Sequence, residues 1–443
     1  MSAIVSIASS DCPMIQLSER MSDVNLGLPF FLLTTAAGPS APPTALAITH
    51  VTVIDARAPA PRSDMTVVIS GSRISALGPT GQVAIPKGAR VIDGARKFLI
   101  PGLWDMHVHL SDATEAAFPL LVANGIAGVR DLGGNLEQLD RWRAEIATGK
   151  RLGPLIVRAG PFVDGPKEVT VNRLATTEPA AARRAVDSLA ARGVDCLKVH
   201  NLLPRETFFA LMSQARMRRL PVAVHLPRKV SSAEASDSGA ASLEHIESLI
   251  ESALHRPGDS ARTWDGALSE SQGEAGARLF ATFVRNGTRF VPTLAAYYRG
   301  FVHWGGDPQK VASRRAALSK LVDLTRDLHR AGVQLLAGSD FTEASVGVFP
   351  GADLHQDLAF LVEAGLTPME AIQCATLNPA RFLGMQDSLG TIEPGKRADL
   401  ILLGANPLEN INNTRTIDVV ILGGRPIEVA ATRRRSSPRR DRP

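Results

Sequence analysis

The middle of this 443-residue chain alternates short strand-like runs with longer helix-like ones, and few architectures accept that rhythm. The strand-like runs are Gly102 to His107, Gly128 to Asp131, Leu155 to Ala159, Cys196 to Val199, Val222 to His225, Ser242 to His245, Phe290 to Thr293 and Leu335 to Gly338. Helical stretches such as Glu178 to Arg192 and Glu206 to Arg219 lie between them. Such alternation predicts a parallel sheet with covering helices, an α/β protein. Eight strands in roughly 240 residues match the size of a (β/α)₈ TIM barrel over residues 100–388.

Both flanks read differently. Ala47 to Asp55, Met65 to Ser70, Arg73 to Ala76 and Arg90 to Asp93 are β-type runs punctuated by Gly and Pro. Leu400 to Leu403 and Asp418 to Leu422 repeat the pattern near the other end. Residues 45–99 and 389–430 are therefore expected to form one small β-sandwich domain, built from both termini and enclosing an inserted barrel.

Composition removes several alternatives. With 44% hydrophobic and 21% charged residues, the bulk of the chain is globular and not disordered. Three cysteines (Cys12, Cys196, Cys374) are too few and scattered for a disulfide framework or a thiolate zinc site. Any metal must be held by imidazole and oxygen. The net charge of +5 lies in the tail, where six arginines face only Asp441 after Thr432. Residues 431–443 therefore read as a basic solvated extension, and no nucleic-acid partner is expected. Residues 1–44 read as a signal-like or disordered segment. Leu26 to Ala37 is apolar but too short to span a bilayer, and Asp23 stands where a signal peptide would carry a cation. Export to the periplasm and a cytoplasmic location both stay open, as does assembly into a homo-oligomer. No membrane span is expected.

In a (β/α)₈ barrel the chemistry sits at the C-terminal strand ends. The first strand ends in Asp105-Met106-His107-Val108-His109, whose alternation places His107 and His109 on one face, about 6 to 7 Å apart. Lys198 stands inside the apolar run Val194 to Val199, where an unpaired ammonium is costly. His225 and His245 close two further strands, and Asp340 follows Leu335 to Ser339. Singly these are a core lysine, core histidines and a helix-capping aspartate. Together, groups able to bind a metal end five strands.

Two segments resemble signatures of the amidohydrolase superfamily. Ile100 to His109 (IPGLWDMHVH) is similar to its opening signature and Leu389 to Leu400 (LGTIEPGKRADL) to its closing one, so the resemblance covers about Ala45 to Glu428. Gly128-Val129-Arg130-Asp131 and Leu377-Asn378-Pro379-Ala380 resemble the imidazolonepropionase-like and prolidase-like branch, which includes hydrolases of dipeptides, N-acyl amino acids and ochratoxin-like amides. The resemblance implies two divalent metals, zinc suiting the ligands best. His107, His109 and Asp340 would bind one metal, His225 and His245 the other, with a carboxylated Lys198 bridging them. It also implies a metal-activated water that attacks the amide carbonyl of a small molecule, with Asp340 carrying the proton. Leu226-Pro227-Arg228 departs from the Ala-His-Gly often found there. A mononuclear cyclic-amide hydrolase or deaminase on the same fold would not need Lys198. A non-catalytic scaffold would have lost ligands, and none is missing.

Tyr297, Lys167, Arg228 and His200 follow expected strands and are candidate substrate contacts; His355 is a further one, and Tyr298 follows the same strand as Tyr297. His50, His255, His303 and His329 read as surface or structural. There is no G-x-S-x-G nucleophile elbow and no phosphate loop.

Overall fold

Apolar side chains on both flanks bury one another in a shared sheet. The computed structural model describes residues 45–432 apart from 59, 168–169, 171, 255–262, 303–307, 343–349 and 430–431. The first flank supplies β1 (Leu46–Val53), β2 (Arg62–Ser70), β3 (Arg73–Pro79), β4 (Arg90–Asp93) and β5 (Phe98–Pro101). Along β1, the stretch Leu46 to Thr49 pairs with β4, and Thr52 and Val53 then pair with β5.

In the middle, β6 (Leu103–Val108), β7 (Ile126–Asp131) and β8 (Leu155–Arg158) run parallel as one three-stranded sheet. Gly128 is required within it, because a Cβ there would sit 2.2 Å from the Trp104 ring. Next come β9 (Phe162–Asp164), β10 (Arg173–Ala175), β11 (Leu197–Val199), β12 (Val222–His225), β13 (Ser242–Glu244) and β14 (Arg289–Val291). These form a parallel six-stranded sheet in the order β10-β9-β11-β12-β13-β14. Asp195 N donates to Arg158 O at 3.0 Å, linking β8 to the run-up of β11.

The segment Leu335 to Gly338, expected as a strand, is an isolated bridge to Phe290 flanked by single backbone hydrogen bonds. Leu336 N donates to Phe290 O and Met106 N to Ala337 O, both at 2.9 Å, so the segment still joins β14 to β6. Side chains explain why no ladder forms. Gly338 N donates to the Asp357 carboxylate and Ser339 N to that of Asp105, which uses the donors a regular strand would need.

The second flank supplies β15 (Leu400–Leu403), β16 (Ile417–Leu422) and β17 (Arg425–Glu428). β15 pairs antiparallel with β5, from Leu400 opposite Pro101 to Leu403 opposite Phe98. The two flanks thus share one eight-stranded sheet, ordered β17-β16-β15-β5-β1-β2-β3 with β4 on β1. Ile48, Val67, Leu99, Leu402 and Ile421 are fully buried against one another in its core. β5 and β17 were not anticipated: Phe98 to Pro101 runs into the opening signature, and Arg425 to Glu428 lacks alternation.

Helices occupy the intervals as expected, with local signals at their ends. Pro179–Ala191 opens on proline, tolerated where the N–H needs no helical partner. Arg205–Arg218 ends on Arg219 in the left-handed conformation. Ser231 with Glu234, and Thr367 with Glu370, form capping boxes. Among the described residues no helix is long and apolar enough to cross a membrane. The run Leu26 to Ala37 and the basic tail lie outside the described residues.

The join between the flanks can be tested energetically. Leu99 and Leu402 are directly opposed, both at 0% exposure, and each truncation to Ala should cost about 2–5 kcal/mol. The double variant should cost less than the two singles combined, by about 0.5–3 kcal/mol in a denaturation cycle. Strict additivity would mean the pair is not in contact.

Candidate metal and substrate site

The six residues read as metal ligands converge. His107 and His109 leave β6 on one side with ring centroids 5.3 Å apart. Asp340 Oδ1 lies 3.5 Å from His107 Nε2 and 3.2 Å from His109 Nε2. Imidazoles then step across neighbouring strand ends: His107 to His245 at 4.7 Å, His245 to His225 at 4.6 Å and His225 to His200 at 4.5 Å between centroids. Lys198, buried within β11, places Nζ 3.3 Å from His107 Nε2. A cavity of about 300 Å³ opens over these groups, lined also by His200, Glu247, Ala296, Tyr297 and Gly300. That is enough for a small molecule.

Three strand ends hold non-glycine residues at left-handed backbone angles: His245 at φ +69°, Thr293 at +52° and Asp340 at +52°. Threonine is a genuine outlier there because its branched Cβ crowds the backbone. Thr293 is fully buried, and its Oγ1 lies 3.0 Å from His245 Nδ1. Arg299 holds the last turn in place by donating to Ser339 O (3.0 Å), Asp340 O (2.9 Å) and Asp353 Oδ2 (3.0 Å).

Below the cluster lies a charge network that sequence reasoning missed. His107 Nδ1 donates to Glu244 Oε2 at 2.9 Å, and Arg130 Nη2 donates to Glu244 Oε1 at 2.9 Å. Arg130 also donates to Met106 O (2.7 Å) and Ser242 Oγ (2.9 Å). All three charged or polar side chains are essentially inaccessible. With Nδ1 committed to Glu244, the lone pair of His107 Nε2 is left on the side of Lys198 and Asp340, which line the cavity. Asp131, also missed, accepts Leu110 N (2.7 Å) and Gly133 N (3.2 Å), tying the residue after His109 to the turn that follows β7. The available signal was a charge inside an apolar strand, present at Arg130, Asp131 and Glu244.

Electrostatics keep the donors in metal-competent forms. Burial, reinforced by Lys198, lowers His107 to about 4. Burial and neighbouring imidazoles hold His225 and His245 well below the ordinary histidine value. His109 is the exception: burial pulls it down, but the hydrogen bond and charge of Asp340 win and raise it. Burial would raise Asp340, yet His107, His109 and His245 outweigh it and keep the carboxylate ionised. Burial brings Lys198 down to about 8 against the pull of Glu244 and Asp340. Glu247 is raised well above the usual range, first by burial and then by Glu251 and Asp340. Neutral imidazoles at His107, His225 and His245, two of them with a fixed outer nitrogen, together with an ionised carboxylate are what a zinc-type cation binds, so this donor set fits one. Among the described residues, His107, His109 and Asp340 have ligand atoms all within 4.8 Å of one another.

The four candidate substrate contacts divide. Tyr297 and His200 line the cavity, with His200 Nδ1 3.3 Å from Asp164 Oδ2. Lys167, on a bend after β9, and Arg228, in a turn after β12, are exposed and do not line it. His355 is buried away from the cavity between Thr414 Oγ1 (2.8 Å) and Asn124 O (2.9 Å). Tyr298 packs on Phe360. His50 is exposed beside Asp64, His329 lies near Glu370, and His255 and His303 fall outside the described residues.

Comparison with known proteins gives the family. The chain is 26% identical over 374 residues to an imidazolonepropionase of Rubrobacter xylanophilus, covering 77% of this chain and 85% of that one. It is 25% identical over 375 residues to adenine deaminase 3 of Rhizobium meliloti, covering 79% of this chain but about half (53%) of the deaminase. An ochratoxinase of Aspergillus niger is 27% identical over 261 residues, 57% of this chain and 47% of that protein. In fold alone the chain resembles a Xaa-Pro dipeptidase with bound methionine (TM-score 0.68, 24% identity, 87% of this chain and 100% of that one). Phenylurea hydrolase B is similarly close (TM-score 0.68, 24% identity, 88% and 98%). The family model described as "Amidohydrolase family" matches residues 98–427, from β5 to β17, and so takes in every residue of the cluster: the chain is an enzyme of the amidohydrolase family.

Proposed function

We propose that this protein is a binuclear metal-dependent hydrolase that cleaves the amide bond of a small molecule. The observation that carries the reading is the convergence of His107, His109, Lys198, His225, His245 and Asp340 around one cavity. The architecture supporting it is read as a (β/α)₈ barrel over 100–388, with the segment around Leu335 completing the ring, and a composite sandwich domain from 45–99 and 389–430. His107, His109 and Asp340 would hold one metal and His225 and His245 the other. Lys198, carboxylated on Nζ, would lie between them. Carboxylation would turn a buried ammonium among imidazoles into an anion facing two divalent cations, and that pairing relieves the cost of burying a charge there. Zinc suits this set, and substitutes such as manganese or cobalt fit its oxygen and nitrogen donors.

Bound metal supplies a more acidic water and polarises a carbonyl at neutral pH. The chain's own residues do the remainder. Asp340, held ionised, accepts a proton from the attacking water and returns it to the leaving amine. Glu244 and Thr293 fix the outer nitrogens of His107 and His245, so both rings keep one orientation through the cycle. Tyr297 and His200 face the substrate. The expected substrates are N-acyl amino acids, dipeptides or ochratoxin-like amides.

A mononuclear cyclic-amide hydrolase or deaminase is the second reading. It is favoured by one observation: the tight donor group of His107, His109 and Asp340 suffices for a single ion. Elemental analysis separates the two. The binuclear reading expects about two metals per chain, fewer in Lys198→Ala, and a loss of activity of about 100-fold or more that Lys198→Arg does not restore. One metal in the wild type, with Lys198→Ala active, would establish the mononuclear form.

Asp340→Asn should abolish turnover of any amide substrate, because the side-chain amide cannot accept the proton. Retained turnover would mean that another group carries it. Glu244→Gln should weaken metal affinity about 10–100-fold in a chelator competition, since the His107 outer nitrogen loses its anionic acceptor. Unchanged affinity would leave Glu244 with a folding role only.

A further inference from the structure

Two carboxylates on the helix Ala352–Glu363 tie one wall of the cavity to the segment that carries Asp340. Asp353 and Asp357 are one helical turn apart, so they project from the same side, and both are buried. Asp357 Oδ1 accepts Ala295 N and its Oδ2 accepts Gly338 N, each at 3.2 Å. One side chain thus holds the first turn of the helix Leu294–Val302 and the backbone just before Asp340. Asp353 Oδ2 accepts Arg299 Nη1 at 3.0 Å. The same Nη1 reaches Ser339 O at 3.0 Å, and Nη2 donates to Asp340 O at 2.9 Å.

The helix anchored in this way also meets the cavity. Ala296, Tyr297 and Gly300 form part of the lining. Arg299, two positions beyond Tyr297, leaves the helix from another face and is buried. Asp340 holds a left-handed φ of +52°, an angle that persists only while neighbours impose it. A guanidinium suits that task, because its rigid planar fork spans several acceptors where an ammonium acts as a point charge.

We propose that Arg299 is a positioning residue for Asp340, acting through the backbone of that residue. It fixes the spacing between the wall that receives substrate and the carboxylate that carries the proton. This rests on the metal-dependent hydrolase reading of the same cavity. Without Arg299 the wall still binds substrate but the carboxylate drifts, so the loss falls on kcat and not on KM. The rival role, packing alone, lowers stability and leaves the site native in whatever protein stays folded.

The test uses full-length protein loaded with cobalt, whose visible absorption reports ligand geometry independently of turnover. The amide is the best substrate found in a panel of N-acyl amino acids and dipeptides. In Arg299→Ala the cobalt bands should shift and kcat should fall about 100-fold, the scale of an ångström-sized misplacement, with KM within about threefold. Millimolar guanidinium chloride should return both readouts toward wild type by restoring the missing fork. Arg299→Lys should show a smaller shift of the same kind. Native bands and kcat in a folded Arg299→Ala, or a loss there that guanidinium does not reverse, would overturn the proposal. Should Arg299→Ala not fold, native bands and kcat in Arg299→Lys would overturn it equally. A wild type that takes up no cobalt would remove the metal-site reading and this one with it. Band shifts reversed by guanidinium, in a protein that hydrolyses no amide, would support the positioning role and count against the hydrolase reading alone.

Discussion

A guanidinium and a carboxylate buried together beneath the cavity set the geometry of everything above them. Arg130 on β7 and Glu244 on β13 meet at 2.9 Å with almost no solvent contact. Removing two charges from water costs several kcal/mol per ion, and their attraction repays this only when the remaining donors and acceptors are satisfied. They are: Arg130 also reaches Met106 O and Ser242 Oγ, and the second oxygen of Glu244 takes His107 Nδ1. Three strands, β6, β7 and β13, are thereby locked in relative height by four hydrogen bonds. Apolar side chains of equal volume could stabilise such a core as well, but they could not orient an imidazole. The pair is best understood as exchanging stability for direction.

The same exchange recurs in the backbone. His245, Thr293 and Asp340 each occupy left-handed angles that cost of order 1–3 kcal/mol apiece. Glycine would remove that strain and also the side chain that does the chemistry. The strain persists because neighbours over-determine it. Arg299 clamps the carbonyls of Ser339 and Asp340, while Asp105 and Asp357 take the N–H groups just before them. The segment around Leu335 thus gives up regular strand pairing in order to aim one carboxylate. Its carbonyl and amide groups are still satisfied, by side chains instead of a ladder.

This division explains what could be read from the residues. His107, His109, Lys198, His225, His245 and Asp340 were legible because polar groups at the ends of apolar runs have few structural reasons to exist. Glu244 and Arg130 carried a similar signal but are followed or preceded by residues with stronger ones, and no local pattern links β7 to β13. Lys167 and Arg228 were read from position alone, and strand-end position does not say which way a long side chain turns. Both turned to water, where an unpaired cation is cheaply solvated. Glu247 was invisible for the opposite reason: an acid in the first turn of a helix is ordinary, and only its inward rotamer makes it unusual. On the flanks, β5 was hidden because its last two residues, Ile100 and Pro101, open the signature, whose apolar residues serve two sheets in succession.

That double service connects the termini to the site. β5 ends at Pro101 and β6 begins at Leu103, so only Gly102 separates the flank sheet from the strand bearing His107 and His109. Gly102 N donates to Asp399 O at 2.8 Å, and a Cβ on Gly102 would meet that of Ala127 at 2.5 Å. Asp399 in turn accepts from Gly423 N and from Arg397, within the closing signature and the turn before β17. The height at which β6 enters is therefore set by residues some 300 positions later in the chain. A metal site tolerates errors of only about 0.2 Å in its ligand distances. An element that carries two of its ligands needs a rigid anchor at the other end, and the shared sheet is that anchor. The two signature segments, far apart in sequence, meet where Pro101 pairs with Leu400, at the end of the β5–β15 ladder.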